Sequence, residues 1–154
     1  MGKPLRTVGV LIALIATASL AGCVQEEEMT PGEARSSLIQ ITQDTAALLD
    51  VVGWERHGDA TVGPCGDGVN WAYVESAPVP DSAPLDDAKT VADYWESLGI
   101  TVRINTEKSP VVFGSGGPVT AISFGAGPNT YNIAGTSACA PGDFRSILRD
   151  GITD

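Results

Sequence analysis

The sequence predicts an α+β domain: one antiparallel β-meander sheet with two main helices packed on one face. Three observations predict it. Apolar side chains recur at helical spacing in two segments, 30–52 and 85–98. Short alternating runs fill 100–134, and the turns between them are too short for parallel crossovers. The predicted order is α-β-α-β-β-β with a short C-terminal helix, which puts helices over one sheet rather than between parallel strands.

Each element has a local reason. Thr30-Pro31-Gly32-Glu33 opens the first helix: Thr30 caps, Pro31 suits the first helical position, and Glu33 completes a capping box. Leu38, Ile41, Leu48, Leu49 and Val52 continue the stripe, and Gly53 ends it. Residues 54–61 form a strand or an irregular segment, and 62–68 are turn chemistry. Residues 69–75 read as a strand, with Trp71 and Tyr73 on one face and Ala72 and Val74 on the other. Three prolines make 76–84 a loop. Leu85, Ala88, Val91, Ala92, Trp95 and Leu98 stripe the second helix, and Gly99 stops it. Ile100, Val102 and Ile104 then alternate with Thr101, Arg103 and Asn105. Runs at 111–113 and 119–124 follow, hinged at 114–118, and 130–134 runs back after a turn at 125–129. A short helix spans 144–149.

The N-terminus carries a different signal. Lys3 and Arg6 precede an apolar or small run over 8–20, which ends in Leu20-Ala21-Gly22-Cys23. This is the layout of a secretory signal, and at about 15 residues the run falls short of the roughly 20 of a membrane span. Leu-Ala-Gly-Cys resembles the lipobox of bacterial lipoproteins at all four positions. The resemblance implies cleavage before Cys23 and a diacylglyceryl thioether on its sulfur, with its new amine open to acylation too. Ordinary cleavage after Ala18 or Ala21 is the alternative, and it leaves Cys23 as an odd thiol. The expected organisation is a signal peptide at 1–22, a lipidated cysteine and acidic tether at 23–29 including Glu26, Glu27 and Glu28, and a single domain at 30–154. The expected location is the outer face of a bacterial cell membrane, held there through Cys23.

The chain carries a formal charge of −10, and losing Lys3 and Arg6 with the signal makes the remainder two units more negative. Such a surface repels phosphate backbones, so no nucleic-acid partner is expected. Cys65 and Cys139 remain once Cys23 is modified, and in an oxidising compartment they read as a disulfide. A metal site is disfavoured, because there is no Cys-x-x-Cys and His57 is the lone histidine.

With Gly63-Pro64-Cys65-Gly66, the Tyr94-Trp95 helix ending at Leu98-Gly99, and Gly135-Thr136-Ser137-Ala138-Cys139 after the last strand, the pattern resembles small cell-envelope lipoproteins of actinobacteria. That resemblance implies an envelope location, a disulfide and a compact domain. It supplies no catalytic residues.

Other candidate features have plainer readings. Gly135-x-Ser137-x-Cys139 is one letter from a nucleophile elbow, but Ser137 has only His57 as an imidazole partner. Gly114-Ser115-Gly116-Gly117 lacks the Lys-Ser/Thr and the helix of a phosphate loop, so it reads as a hairpin turn. His57 with Asp59 reads as solvated. Asp81, Asp86 and Asp87 read as helix-start acids rather than a calcium loop. Trp54 and Trp71 are the candidate ligand-binding residues, with core packing as the alternative. No catalytic residue, metal or cofactor is assigned. The functional expectation is a non-enzymatic binding domain for an envelope protein or small ligand. One alternative is a carrier for a lipid or other apolar molecule, with a cavity between helices and sheet. Another is an enzyme with an unrecognised site.

Overall fold

The computed structural model describes residues 28–80 and 83–151. The signal segment, Cys23, most of the acidic tether and Asp81 lie outside the described residues. Three helices and eight strands follow in the order α1 (Pro31–Leu48), β1 (Glu55–Arg56), β2 (Thr61–Cys65), β3 (Gly68–Pro78), α2 (Pro84–Ser97), β4 (Thr101–Asn105), β5 (Val111–Gly116), β6 (Val119–Ala126), β7 (Thr130–Ser137), β8 (Ala140–Pro141) and α3 (Phe144–Asp150). The sheet runs β1-β3-β7-β6-β5-β4, with β2 and β8 also on β3. Every strand pair in it is antiparallel. The α+β class and the helix-on-sheet arrangement are as the sequence predicts.

The first helix starts where its capping box places it. Glu33 N–H donates to Thr30 Oγ1 at 3.2 Å, and Thr30 N–H donates to Glu33 Oε2 at 2.8 Å. The hydrogen bond from the Thr30 backbone holds the Glu33 carboxyl below its ordinary pKa. The helix stops at Leu48, short of Gly53. Leaving the helix lets Leu49 turn into the core, whereas Val52 ends 87% exposed, so the apolar stripe breaks before its last member.

Strand content exceeds the expectation at places rich in Pro and Gly. β2 holds Gly63 and Pro64, and among the described residues it pairs only with β3. An edge strand tolerates a missing N–H on its free side. β3 continues through Pro78 because a proline at the last position forfeits little of the ladder, and residues 76–78 pair with β7. The β5–β6 hairpin turns on Gly116 and Gly117, both at positive φ (96° and 57°), as the hairpin reading of this segment requires.

Both helices cover one face. A row of residues crosses the sheet there: Tyr73, Gly135, Ile122, Gly114 and Val102. A Cβ on Gly135 would meet Leu38 of α1 at 2.8 Å, and one on Gly114 would meet Trp95 of α2 at 3.1 Å. Glycine at these two points lets the helices lie close on the strands. The layer between is filled by Leu38, Trp95, Phe124, Tyr131 and Ile133, each fully buried. Phe124 and Tyr131 meet edge-to-face at 5.2 Å, and Tyr131 OH donates to Asp87 Oδ2 at 2.8 Å, joining β7 to the start of α2. In the α2 stripe Trp95 is core, while Leu85 and Leu98 at its ends are 42% and 37% exposed.

Cys65 and Cys139 form a disulfide, Cα–Cα 5.9 Å. Cys65 pairs with Gly68 across the β2–β3 turn, and Cys139 precedes Ala140, which pairs with Val69. The bond thus ties together the two strands that flank the start of β3. Among the described residues no helix is long and apolar enough to cross a membrane.

Candidate functional site

The face of the sheet turned away from the helices carries a groove built from the central strands. Period-2 alternation decides which residues point there. On β3 these are Ala72 and Val74, opposite the buried Trp71, Tyr73 and Glu75. Register extends the row from Val74 through Ala134, Ser123 and Phe113 to Arg103. A second row holds Ala72, Thr136 and Ala121. Small side chains therefore floor the middle, and larger ones stand at the flanks. The groove measures about 630 Å³ and also touches Thr101 and Ser115. Irregular registers at Gly114/Gly116 and Val119/Ala121 lie beside it, and bulges of this kind bend strands and sharpen local twist. Val74 and Phe113 are 38% and 40% exposed, large apolar groups for an uncovered sheet face. The Arg103 guanidinium lies over the Phe113 ring, 4.6 Å from its centroid.

The sequence-predicted ligand residues fall elsewhere. Trp71 is 6% exposed and faces the helices, with the Arg35 guanidinium 5.7 Å from its ring centroid. Trp54 is partly buried against the core just before β1, whose Glu55 pairs with Ser76 near the far end of β3. The two indoles are therefore not brought together. Neither indole N–H meets an acceptor among the described residues. Trp71 belongs to the core and Trp54 packs partly buried against it.

Ser137 and His57 are also apart and separately engaged. Ser137 is fully buried; its Oγ accepts from Trp71 N–H at 3.0 Å and donates to the Ala138 carbonyl at 2.9 Å. His57 Nε2 lies 2.6 Å from Ser76 Oγ at the β1 edge. Asp86 pairs with Lys89 at 3.1 Å, and Asp87 receives the Tyr131 phenol. Among the described residues no group of three or more His, Cys, Asp or Glu side chains is placed to hold a metal ion.

One buried polar cluster escapes a reading of the sequence. Glu75, 4% exposed, accepts a 2.7 Å hydrogen bond from Tyr73 OH and lies 3.5 Å from the exposed Arg56 guanidinium. Its signal is parity: residue 75 continues the Trp71–Tyr73 face, so an acid there must be buried with partners. Burial first, then the Glu75 carboxylate, raises the Tyr73 pKa above 10.0. A raised phenol favours folding fully below the unfolded-state pKa, and that contribution disappears as pH climbs through the folded-state value. Stability should therefore fall in the alkaline range. Tyr73→Phe should cost about 1–3 kcal/mol at neutral pH and flatten the alkaline decline. Urea midpoints at neutral and alkaline pH check this; an unchanged decline in the variant would refute it.

Comparison with known proteins adds a fold likeness. No family model matches the sequence, and no curated protein matches it. Among solved structures, the architecture is similar to that of a DUF4853 family protein from Actinomyces odontolyticus, an actinobacterium, with a TM-score of 0.50 and 16% identity. The match covers 76% of this chain and 72% of that one. At this identity the likeness concerns the fold alone.

Proposed function

We propose that this chain is a lipid-anchored, extracytoplasmic domain of a bacterial cell envelope that binds a partner through its open sheet face without catalysing a reaction. The observation that carries the reading is the groove, an uncharged floor of small residues flanked by exposed Val74 and Phe113. The disulfide supports a location outside the reducing cytoplasm. The Leu20–Cys23 segment supports the anchor through its lipobox resemblance. The separate engagement of Ser137 and His57 supports a binding role over hydrolysis. The filled layer between helices and sheet turns attention from an internal cavity to the outer face.

Two measurements test it. Intact-mass analysis of membrane-extracted protein should give a chain beginning at a diacylglyceryl Cys23, with the mass of two hydrogens gained on reduction. A chain retaining Met1 without acylation would sink the anchor. A photo-crosslinker at Ser123, in the groove, should trap an envelope partner, whereas one at Asp93, exposed on α2, should not. The opposite pattern would move the binding surface to the helices.

A further inference from the structure

We propose that the groove takes an anionic amphiphile, an acyl chain ending in a carboxylate, and that Arg103 receives the carboxylate. This deepens the open-face reading and rests on it. Among the groove's lining side chains Arg103 alone is charged; the others are Ala, Val, Ile, Gly, Ser, Thr and Phe. A single cation in an otherwise uncharged groove is notable in a chain of net charge −10. The ion pairs of the described residues engage Arg56, Lys89 and Arg149, and none engages Arg103. Its guanidinium instead rests on the Phe113 ring at 4.6 Å. A guanidinium carries a fork of N–H donors that matches a carboxylate with two parallel hydrogen bonds. The ring contact thus places a receptor for an anion at one end of the groove.

The rest of the row fits an apolar chain. From Arg103 it crosses Phe113, Ser123 and Ala134 to Val74, four strand spacings or about 19 Å. Short side chains at 123 and 134 let a chain lie near the strands, and exposed Val74 and Phe113 supply apolar contact. The groove volume, about 630 Å³, lies within the usual range for small-ligand sites. The net negative charge of the protein opposes an anion at long range, but salt screens that field beyond about 8 Å, so the contact at Arg103 decides. Recognition is therefore local to the guanidinium.

The test uses the chain from residue 23 onward with Cys23→Ala, which removes its own acyl groups. Isotope-labelled protein is titrated with dodecanoate, dodecanol and acetate, all below micelle-forming concentrations. Dodecanoate should shift amides of 72–74, 113, 121–123 and 134–136 saturably, and acetate should not. Arg103→Gln should weaken dodecanoate binding about fivefold, since an exposed ion pair is lost, and leave dodecanol binding within about twofold. Arg103→Lys should retain part of the affinity. Unchanged dodecanoate affinity in Arg103→Gln would overturn the assignment and make Arg103 a charged guard on the edge strand β4, while groove shifts would leave the open-face reading standing. Shifts confined to α1 and α2 would overturn both. Absence of any saturable shift would overturn the amphiphile, leaving the cross-link at Ser123 to decide the face.

Discussion

Trp95→Ala is expected to destabilise the domain by about 3–5 kcal/mol, lowering Tm by about 10–20 °C. Trp95 is fully buried on α2, which packs on β4, β5 and β6. Its ring edge sits over the backbone of Gly114, where even a single methyl would come within 3.1 Å of Cε3. Ile100 and Ile122 close on the same glycine, so the layer around the ring is tightly packed. A hydrogen bond adds to the cost. Indole Nε1–H donates to Thr45 Oγ1 at 2.9 Å, and that hydroxyl donates onward to the Ile41 carbonyl at 2.6 Å. The chain of bonds fastens α2 to α1 through a fully buried hydroxyl. Trp95→Phe keeps most of the volume and loses the bond, so it should cost less than the alanine variant. Urea unfolding of the two variants separates packing from hydrogen bonding. A loss under about 1 kcal/mol for Trp95→Ala would mean that the layer collapses freely around the gap.

Trp95 also illustrates what the sequence could and could not convey. Its place on the stripe Ala88-Val91-Ala92-Trp95 makes it legible as core, because helical periodicity reports burial directly. The same logic recovers the capping box at Thr30 and the alternation in β3 and β4. It fails where the local signal and the tertiary environment disagree. Gly63 and Pro64 read as a turn, yet they sit in β2 because β3 offers an edge to pair with. Val52 extends the first stripe, yet the helix ends at Leu48, Leu49 turns into the core and Val52 is left exposed. The site is harder still. Trp54 and Trp71 draw attention as large aromatics, but strand parity sends Trp71 under the helices. Arg103 and Phe113 stand out only as members of alternating runs. Nothing local says that residues ten apart face each other across β4 and β5, or that Ser123 and Ala134 continue their row. Register is a non-local property, and the groove is made of register.

Loss of the Cys65–Cys139 bond should have a comparably large effect, with a different signature. The cysteines are 74 residues apart, and closing such a loop restricts the unfolded chain by about 4.5 kcal/mol in the chain-entropy account. The double variant Cys65→Ser/Cys139→Ser is expected to lose about 2–5 kcal/mol and to show a steeper denaturant dependence, because its unfolded state is free to expand. Local consequences follow from where the bond lies. β8 is two residues long and pairs with Gly68 and Val69, and α3 rests on β2. These pieces bury little of their own and depend on the bond to stay beside β3. Amide exchange in 61–65 and 140–151 should therefore quicken first, ahead of β5, β6 and β7, whose ladders lie outside the tied region. The groove lining comes from β3 to β7 and includes neither cysteine. Under conditions where the reduced protein remains folded, dodecanoate should bind it as it binds the oxidised form. A loss of binding on reduction, with β5 to β7 still protected, would show that the start of β3 shapes the groove from a distance, and would tie the redox state of the envelope to ligand capture.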